Sequence, residues 1–84
     1  MTGAVRIAVT AFFPIPQSWT KSKRLSAVSG VLRHTKKPDA DNVLKSICDA
    51  LNGVVWADDA QCFDKHIIKE YSLMPRVEIE VEEV

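Results

Sequence analysis

Two aspartates lie two residues apart near the middle of the chain, and a lysine follows one helical turn later. The segment reads Lys37-Pro38-Asp39-Ala40-Asp41-Asn42-Val43-Leu44-Lys45, and a second acidic pair, Asp58-Asp59, follows it. Mg²⁺ prefers oxygen ligands and is usually held by one or two carboxylates together with waters and substrate phosphates. The spacing therefore favours a Mg²⁺ site that acts on a phosphodiester.

Each member of this cluster has a role in such chemistry. Asp39 and Asp41 flank one small residue where extended chain becomes helix, so both carboxylates are expected to converge on one ion. Asp59, or its neighbour Asp58, would add a third oxygen ligand from another element. The ion could polarise the scissile phosphate and lower the pKa of an attacking water. Lys45 could stabilise the same phosphate with a fixed positive charge.

The same residues also have ordinary structural interpretations. Asp41 is a good helix N-cap, and Lys45 shares a helix face with Asp41 and Asp49, where the three could form an exposed ladder of ion pairs. Asp58-Asp59 alone is typical of a polar turn. His34 and His66 have no partner at metal-ligand spacing, so both are interpreted as structural.

Charge is distributed unevenly along a chain whose net charge is zero. Residues 1–38 carry a charge of +7 and residues 39–84 a charge of −7. Asymmetry of this kind indicates a basic surface for a polyanion beside an acidic, cation-binding cluster. The basic residues expected to contact the phosphates of such a polyanion, with little base specificity, are Lys21, Lys23, Arg24, Arg33, Lys36 and Lys37.

Length and composition predict one small domain, residues 1–84, that is soluble and cytoplasmic. A chain of 84 residues buries a limited core, and dimerisation would relieve that shortfall. Cys48 and Cys62 do not form a framework of spaced pairs, which favours reduced thiols. No apolar run is long enough for a membrane span, and the first residues lack a signal pattern.

Hydrophobic periodicity predicts the first half of the fold. Alternation over residues 4–12 predicts a strand with one face buried. Ser18 is the expected cap of a short helix that extends to about Val28, with Leu25 and Val28 facing inward. Residues 31–38 are expected to form a strand or an extended loop.

The second half contains the clearest helix, residues 41–52, with Asp41 as N-cap and Asn52-Gly53 as its stop. Short strands are predicted at residues 54–56 and 62–71. A last strand at residues 76–82 alternates, and its apolar residues Val77, Ile79 and Val81 are expected to be buried. The fold class is therefore α+β, a small mixed sheet of about four strands with two helices on one face.

The motif residues resemble the RusA family of crossover junction endodeoxyribonucleases. The resemblance lies in residues 33–63, through His34-Thr35-Lys36-Lys37-Pro38-Asp39-Ala40-Asp41-Asn42-Val43-Leu44-Lys45, Asp49-Ala50-Leu51-Asn52-Gly53 and Trp56-Ala57-Asp58-Asp59-Ala60-Gln61. Phe13-Pro14-Ile15-Pro16 and Pro75-Arg76-Val77-Glu78-Ile79 also fit the family. The stretch between Pro16 and His34 is shorter than in typical members.

The resemblance implies a homodimeric enzyme, often of phage or prophage origin, that resolves four-way (Holliday) DNA junctions by paired nicks in recombination and repair. It implies Mg²⁺ as cofactor, with Mn²⁺ as a substitute, and branched DNA as partner. It places the metal-binding and catalytic aspartates at Asp39, Asp41 and Asp59 and the catalytic lysine at Lys45, with Asp58 a weaker candidate. Three alternatives stay open: a nuclease acting on forks, flaps or single strands, a module that binds branched DNA without cutting it, and an interaction domain.

Overall fold

A computed structural model describes all residues, 1–84, as three strands, two α-helices and one short 3₁₀ turn. The strands are β1 (Val5–Pro14), β2 (Cys62–Ser72) and β3 (Arg76–Glu83). The helices are α1 (Lys21–Val28) and α2 (Ala40–Leu51), and the 3₁₀ turn is Asp59–Gln61. Neither α-helix is long and apolar enough to cross a bilayer.

The sheet is mixed, and β1 is its central strand. The strand order is β2-β1-β3, with β2 parallel and β3 antiparallel to β1. Parallel neighbours need a long crossover connection, and residues 15–61 provide it. Both helices and all the motif aspartates therefore lie on the crossover, which places them on one side of the sheet.

The main core lies between that side of the sheet and α2. Its fully buried members are Val5, Ile7 and Val9 of β1, Cys48 of α2, and Trp56. Leu44, Ile47 and Leu51 of α2 pack against them, as the spacing of three and four predicts. Alternate residues of β1 supply the floor of this core, which confirms the strand predicted for residues 4–12.

The predicted number of strands was too high, because residues 54–56 form a turn rather than a strand. Val54 and Val55 donate backbone N–H groups to the Leu51 carbonyl, and Trp56 makes only an isolated bridge to Asn52. Gly53 has a φ of +78°, as expected for a helix stop. Residues 54–56 are apolar like a strand, but of the three only Trp56 is fully buried, at 1% exposed.

The predicted burial of β3 was wrong, although its bounds were close to those expected. Val77 and Ile79 are 51% and 42% exposed, and Val81 is partly buried. They pair with Ala11, Val9 and Ile7 of β1 and lie on the helix side of the sheet. α2 covers β1 and β2, so Val77 and Ile79 are left exposed, whereas Val81 packs against the main core.

Both helix starts differ from those expected. Thr20, not Ser18, caps α1, since its Oγ1 accepts the Lys23 N–H at 3.2 Å. Asp39, not Asp41, occupies the N-cap position of α2, and its side chain makes no cap hydrogen bond. The expected inward face of α1 is also wrong, because Ala27 is its buried residue whereas Leu25 and Val28 are exposed.

A second, smaller core joins α1 to the far end of β2. Its buried members are Ile15, Ala27 and Tyr71. His34 lies beside it, 9% exposed, with its ring stacked on Phe13 at a centroid distance of 4.0 Å. This agrees with the structural role predicted for His34. Burial lowers the pKa of His34, and the nearby charge of Lys69 lowers it further.

We expect Ile7→Ala to destabilise the fold far more than Ile68→Ala. Ile7 is 0% exposed in the core, whereas Ile68 is 52% exposed on the opposite face of the sheet. Loss of a buried isoleucine side chain should cost about 2–5 kcal/mol, against less than about 1 kcal/mol at a surface position. Urea unfolding followed by circular dichroism gives both values, and equal losses would contradict the assigned faces.

The lowered pKa of His34 makes stability depend on pH. Above its ordinary pKa of about 6.5 the group is neutral in both folded and unfolded states, and the stability is complete. As the pH falls toward the lower pKa of the folded state, the unfolded chain binds the proton first, so the free energy of unfolding decreases. We expect His34→Gln to lessen this decrease between pH 7 and 5, and the exposed His66→Gln to retain it.

Candidate active site

A shallow hollow of about 330 Å³ lies between α2 and the start of β2. We call it the acidic hollow. Five charged side chains from three elements line it, together with Leu44 and Cys48. They are Asp41, Lys45 and Asp49 of α2, Asp59 of the 3₁₀ turn, and Lys65 of β2. The structure thus brings together three of the four predicted catalytic residues, Asp41, Lys45 and Asp59.

The helical spacing explains why α2 contributes three of these side chains. Asp41, Lys45 and Asp49 follow one another at intervals of four residues and so share one face. No ion pair within 4.0 Å links any of them, in contrast to the exposed ladder considered from the sequence. The two aspartates and the lysine are therefore free to meet a ligand.

The orientation of Asp59 is fixed by the core. Its Oδ1 accepts a hydrogen bond from the indole Nε1–H of the buried Trp56 at 2.8 Å. Its Oδ2 makes no hydrogen bond within the chain and is available to a cation. Asp58 is used differently, because it caps the 3₁₀ turn: Oδ1 accepts the Ala60 N–H, and the Gln61 side chain accepts the Asp58 N–H.

Asp39 lies outside the acidic hollow. It lines a neighbouring hollow with Lys37, Pro38 and Asn42. Asp41 already lies in the first turn of α2 whereas Asp39 is extended, and the two carboxylates, predicted to converge on one ion, line different hollows. No three His, Cys, Asp or Glu side chains are close enough together to hold an ion. The oxygen donors suit Mg²⁺ chemically, and of the three predicted aspartates Asp41 and Asp59 share the acidic hollow, together with Asp49.

Lys69 fastens the loop that leads to these residues. Its Nζ donates to the carbonyls of Lys36 at 2.8 Å and Pro38 at 2.9 Å. Lys69 lies on the helix side of β2, opposite the buried Ala11. The ammonium therefore attaches the start of α2, and with it Asp39 and Asp41, to the sheet.

A comparison with known protein families identifies the chain. The family described as endodeoxyribonuclease RusA matches residues 1–82. The chain belongs to this family. A Bacillus subtilis (strain 168) relative, named "Uncharacterized protein YqaN", is 43% identical over 86 aligned residues. The match covers all of this chain but 61% of the relative, so the chain spans about three fifths of that protein. No solved structure matches the chain.

The predicted DNA contacts of this RusA family member fall into two groups. Lys21 and Arg24 border an apolar groove on α1, and the Lys23 ammonium lies 4.1 Å from the centroid of the Trp19 ring. Lys36 and Lys37 are in the loop before α2, with Lys37 beside Asp39. Arg33 is the exception, because it pairs with Glu70 at 3.0 Å. Five of the six residues thus keep ammonium or guanidinium groups that are not in ion pairs.

The other face of the sheet is acidic. Glu78, Glu80 and Glu82 are exposed on β3 and pair in register with Thr10, Ala8 and Arg6 of β1, the positions that alternate with the core residues. Asp64 of β2 lies on the same face and binds Arg6 at 2.8 Å. This face therefore disfavours the approach of a polyanion.

Three residues of the site were missed by the sequence interpretation. They are Trp56, which orients Asp59, Lys65, which lines the acidic hollow, and Lys69, which binds the loop before α2. A usable signal existed, since Lys65, Ile67, Lys69 and Tyr71 alternate along one face of β2. The adjacent Ile67-Ile68 obscured that alternation, because either isoleucine could have marked the inward face.

We expect Lys69→Met to loosen the loop before α2 without unfolding the sheet. Loss of two hydrogen bonds from a charged donor should speed amide hydrogen exchange at residues 36–41 about tenfold or more. The pKa of His34 should rise, because the charge of Lys69 is one cause of its lowering. Lys65→Met, the same change on the same strand, is the control and should leave exchange in this loop unchanged. Unaltered exchange in Lys69→Met would show that the two bonds do not hold the loop.

Proposed function

We propose that this RusA family member is a Mg²⁺-dependent endodeoxyribonuclease that resolves four-way (Holliday) DNA junctions by paired nicks, in DNA recombination and repair. The observation that carries the proposal is the acidic hollow, where Asp41, Lys45 and Asp59 meet on the side of the sheet that also bears the basic residues. Family membership over residues 1–82 supports the nuclease chemistry and the branched substrate. The proposed location is the cytoplasm.

Each residue of the site has a separate proposed role in cleavage. Asp41 and Asp59, together with Asp39 from the neighbouring hollow, would hold Mg²⁺, with Mn²⁺ as a substitute. The ion supplies Lewis acidity toward the scissile phosphate and a more acidic bound water. Trp56 orients Asp59 by its 2.8 Å hydrogen bond, so that Oδ2 is presented to the ion. Lys45 contacts the phosphate and stabilises the charge that develops there.

Substrate binding would extend from the hollow toward α1. Lys65 and Tyr71 are six residues apart on β2, which is roughly 20 Å of strand, and Tyr71 packs against α1. A polyanion that crosses this side meets Lys37 and then the basic residues of α1. Contacts of this type bind phosphates and confer steep salt dependence with little base specificity. Selectivity would come from the branched shape of the DNA.

A homodimer is the proposed assembly. A two-fold dimer presents two identical sites to the two strands of a symmetric junction. The exposed apolar side chains of β3, Val77 and Ile79, support the proposal, since they gain from being covered.

We expect Asp41→Asn to abolish Mg²⁺-dependent cleavage of a labelled synthetic four-way junction, with a loss of about 100-fold or more, while junction binding persists. Asp39→Asn should reduce cleavage as well if Asp39 joins the same ion. Glu80→Gln is the control, because it removes one negative charge from the opposite face of the sheet, and should cut at the wild-type rate. A supercoiled plasmid with an extruded cruciform shows whether the nicks are paired, since paired nicks linearise it and single nicks only relax it.

The same assay distinguishes the alternatives. Equal cutting of forks, flaps or linear duplex would replace junction resolution by a broader structure-selective nuclease. Junction binding with no Mg²⁺- or Mn²⁺-dependent product would leave a module that binds branched DNA without cutting it. The separate position of Asp39, outside the acidic hollow, is the observation that favours this second candidate.

A further inference from the structure

Lys65 is a second cation at the acidic hollow, and it comes from a different element than Lys45. It lies in β2, in register with the buried Ile7, and so faces the helix side of the sheet. Lys45 is on α2, so the two lysines border the hollow from the sheet and from the helix. Lys65 is exposed and makes neither a hydrogen bond nor an ion pair within 4.0 Å.

Lys65 lies near two thiols, Cys48, which lines the hollow, and Cys62, which begins β2. Burial raises the pKa of Cys48 and of Cys62, and the positive charge of Lys65 opposes that rise at both thiols. The negative charge of Asp59 raises the pKa of both thiols. The ammonium of Lys65 and the carboxylate of Asp59 are therefore both near these two thiols.

The charge balance of the hollow shows what this second lysine changes. Asp41, Asp49 and Asp59 with Lys45 and Lys65 give a net charge of −1, which disfavours the entry of a phosphodiester. One divalent cation reverses the net charge to +1 and makes the hollow attractive to a phosphate. Without Lys65 the same loaded hollow would be neutral, so Lys45 would be the only side chain that attracts the phosphate.

We propose that Lys65 directly contacts a phosphate oxygen at the scissile position, from the side of the hollow opposite Lys45. The proposal rests on the proposed function, since it takes the acidic hollow as the place of cleavage. The lysine pair would hold the phosphate between α2 and β2, and it would do so only after a divalent cation has offset the three carboxylates. Lys65 thereby couples cation binding to the binding of DNA.

The decisive test uses the opposite effects that Lys65 must have on a cation and on a phosphate. In Lys65→Met the hollow is more negative, so direct titration with Mn²⁺ in the absence of DNA should show binding about three- to tenfold tighter. Single-turnover cleavage of the four-way junction should fall about 10- to 100-fold at saturating cation. Lys65→Arg should retain most of the cleavage, because it keeps the charge.

Arg6→Gln is the matched control, since it removes one positive charge from the opposite face of the sheet. It should leave both Mn²⁺ binding and cleavage at wild-type values. Weaker Mn²⁺ binding in Lys65→Met, accompanied by a lower melting temperature, would assign Lys65 a structural role and overturn the proposal. Unchanged cleavage would overturn it as well.

Junction binding separates this proposal from the proposed function. The dependence of junction affinity on salt, measured with Ca²⁺ present to prevent turnover, should lose about one unit of slope in Lys65→Met and none in Arg6→Gln. If the wild-type chain binds junctions but never cuts them, the nuclease assignment fails while the slope still reports the contact of Lys65. An unchanged slope overturns the contact whether or not the chain cuts DNA.

Discussion

The parallel pairing of β1 with β2 is the constraint on which the site depends. Because parallel neighbours cannot be joined by a tight turn, the chain must cross the sheet between Pro14 and Cys62. That crossover carries the basic residues of α1, the loop fastened by Lys69, and α2. It returns through Asp59 directly into β2. The acidic hollow therefore forms where the crossover meets the start of β2, with Asp41 and Asp59 brought together from residues far apart on the crossover.

The parallel pairing of β1 with β2 also leaves both helices on one side of the sheet and the molecule extended. The radius of gyration is 15.1 Å, against about 12 Å for a compact domain of this length, and only 10 of 84 residues are buried. β1 provides nearly half of those residues, because it alone has neighbours on both edges and α2 above it. β3 pairs with β1 along its length, yet Val77 and Ile79 are exposed. Hydrogen bonding and burial are thus separated in β3, whereas the central strand has both along most of its length.

That separation explains what could be predicted from the sequence. Periodicity correctly indicated β1, α2, β2 and β3, since it reports which face of an element is apolar. It could not report whether another element covers that face, so Val77 and Ile79 were wrongly expected to be buried. Spacing also placed Asp41, Lys45 and Asp49 on one face of α2. The hydrogen bond from Trp56 to Asp59 and the position of Lys65 depend on the packing of distant segments, which no local pattern contains.

The two faces of the sheet also differ in charge. The glutamates of β3 and Asp64 make the outer face of the sheet negative, whereas unpaired lysines lie along the helix side. A polyanion is therefore directed to the side that holds the acidic hollow, although the hollow itself carries a net negative charge. In the proposed function, the basic surroundings would bring DNA close, and the carboxylates would exclude its phosphate until a divalent cation is present. Attraction at long range combined with local repulsion would make productive binding conditional on the ion, so that the proposed cleavage would depend on the loaded site rather than on DNA affinity alone.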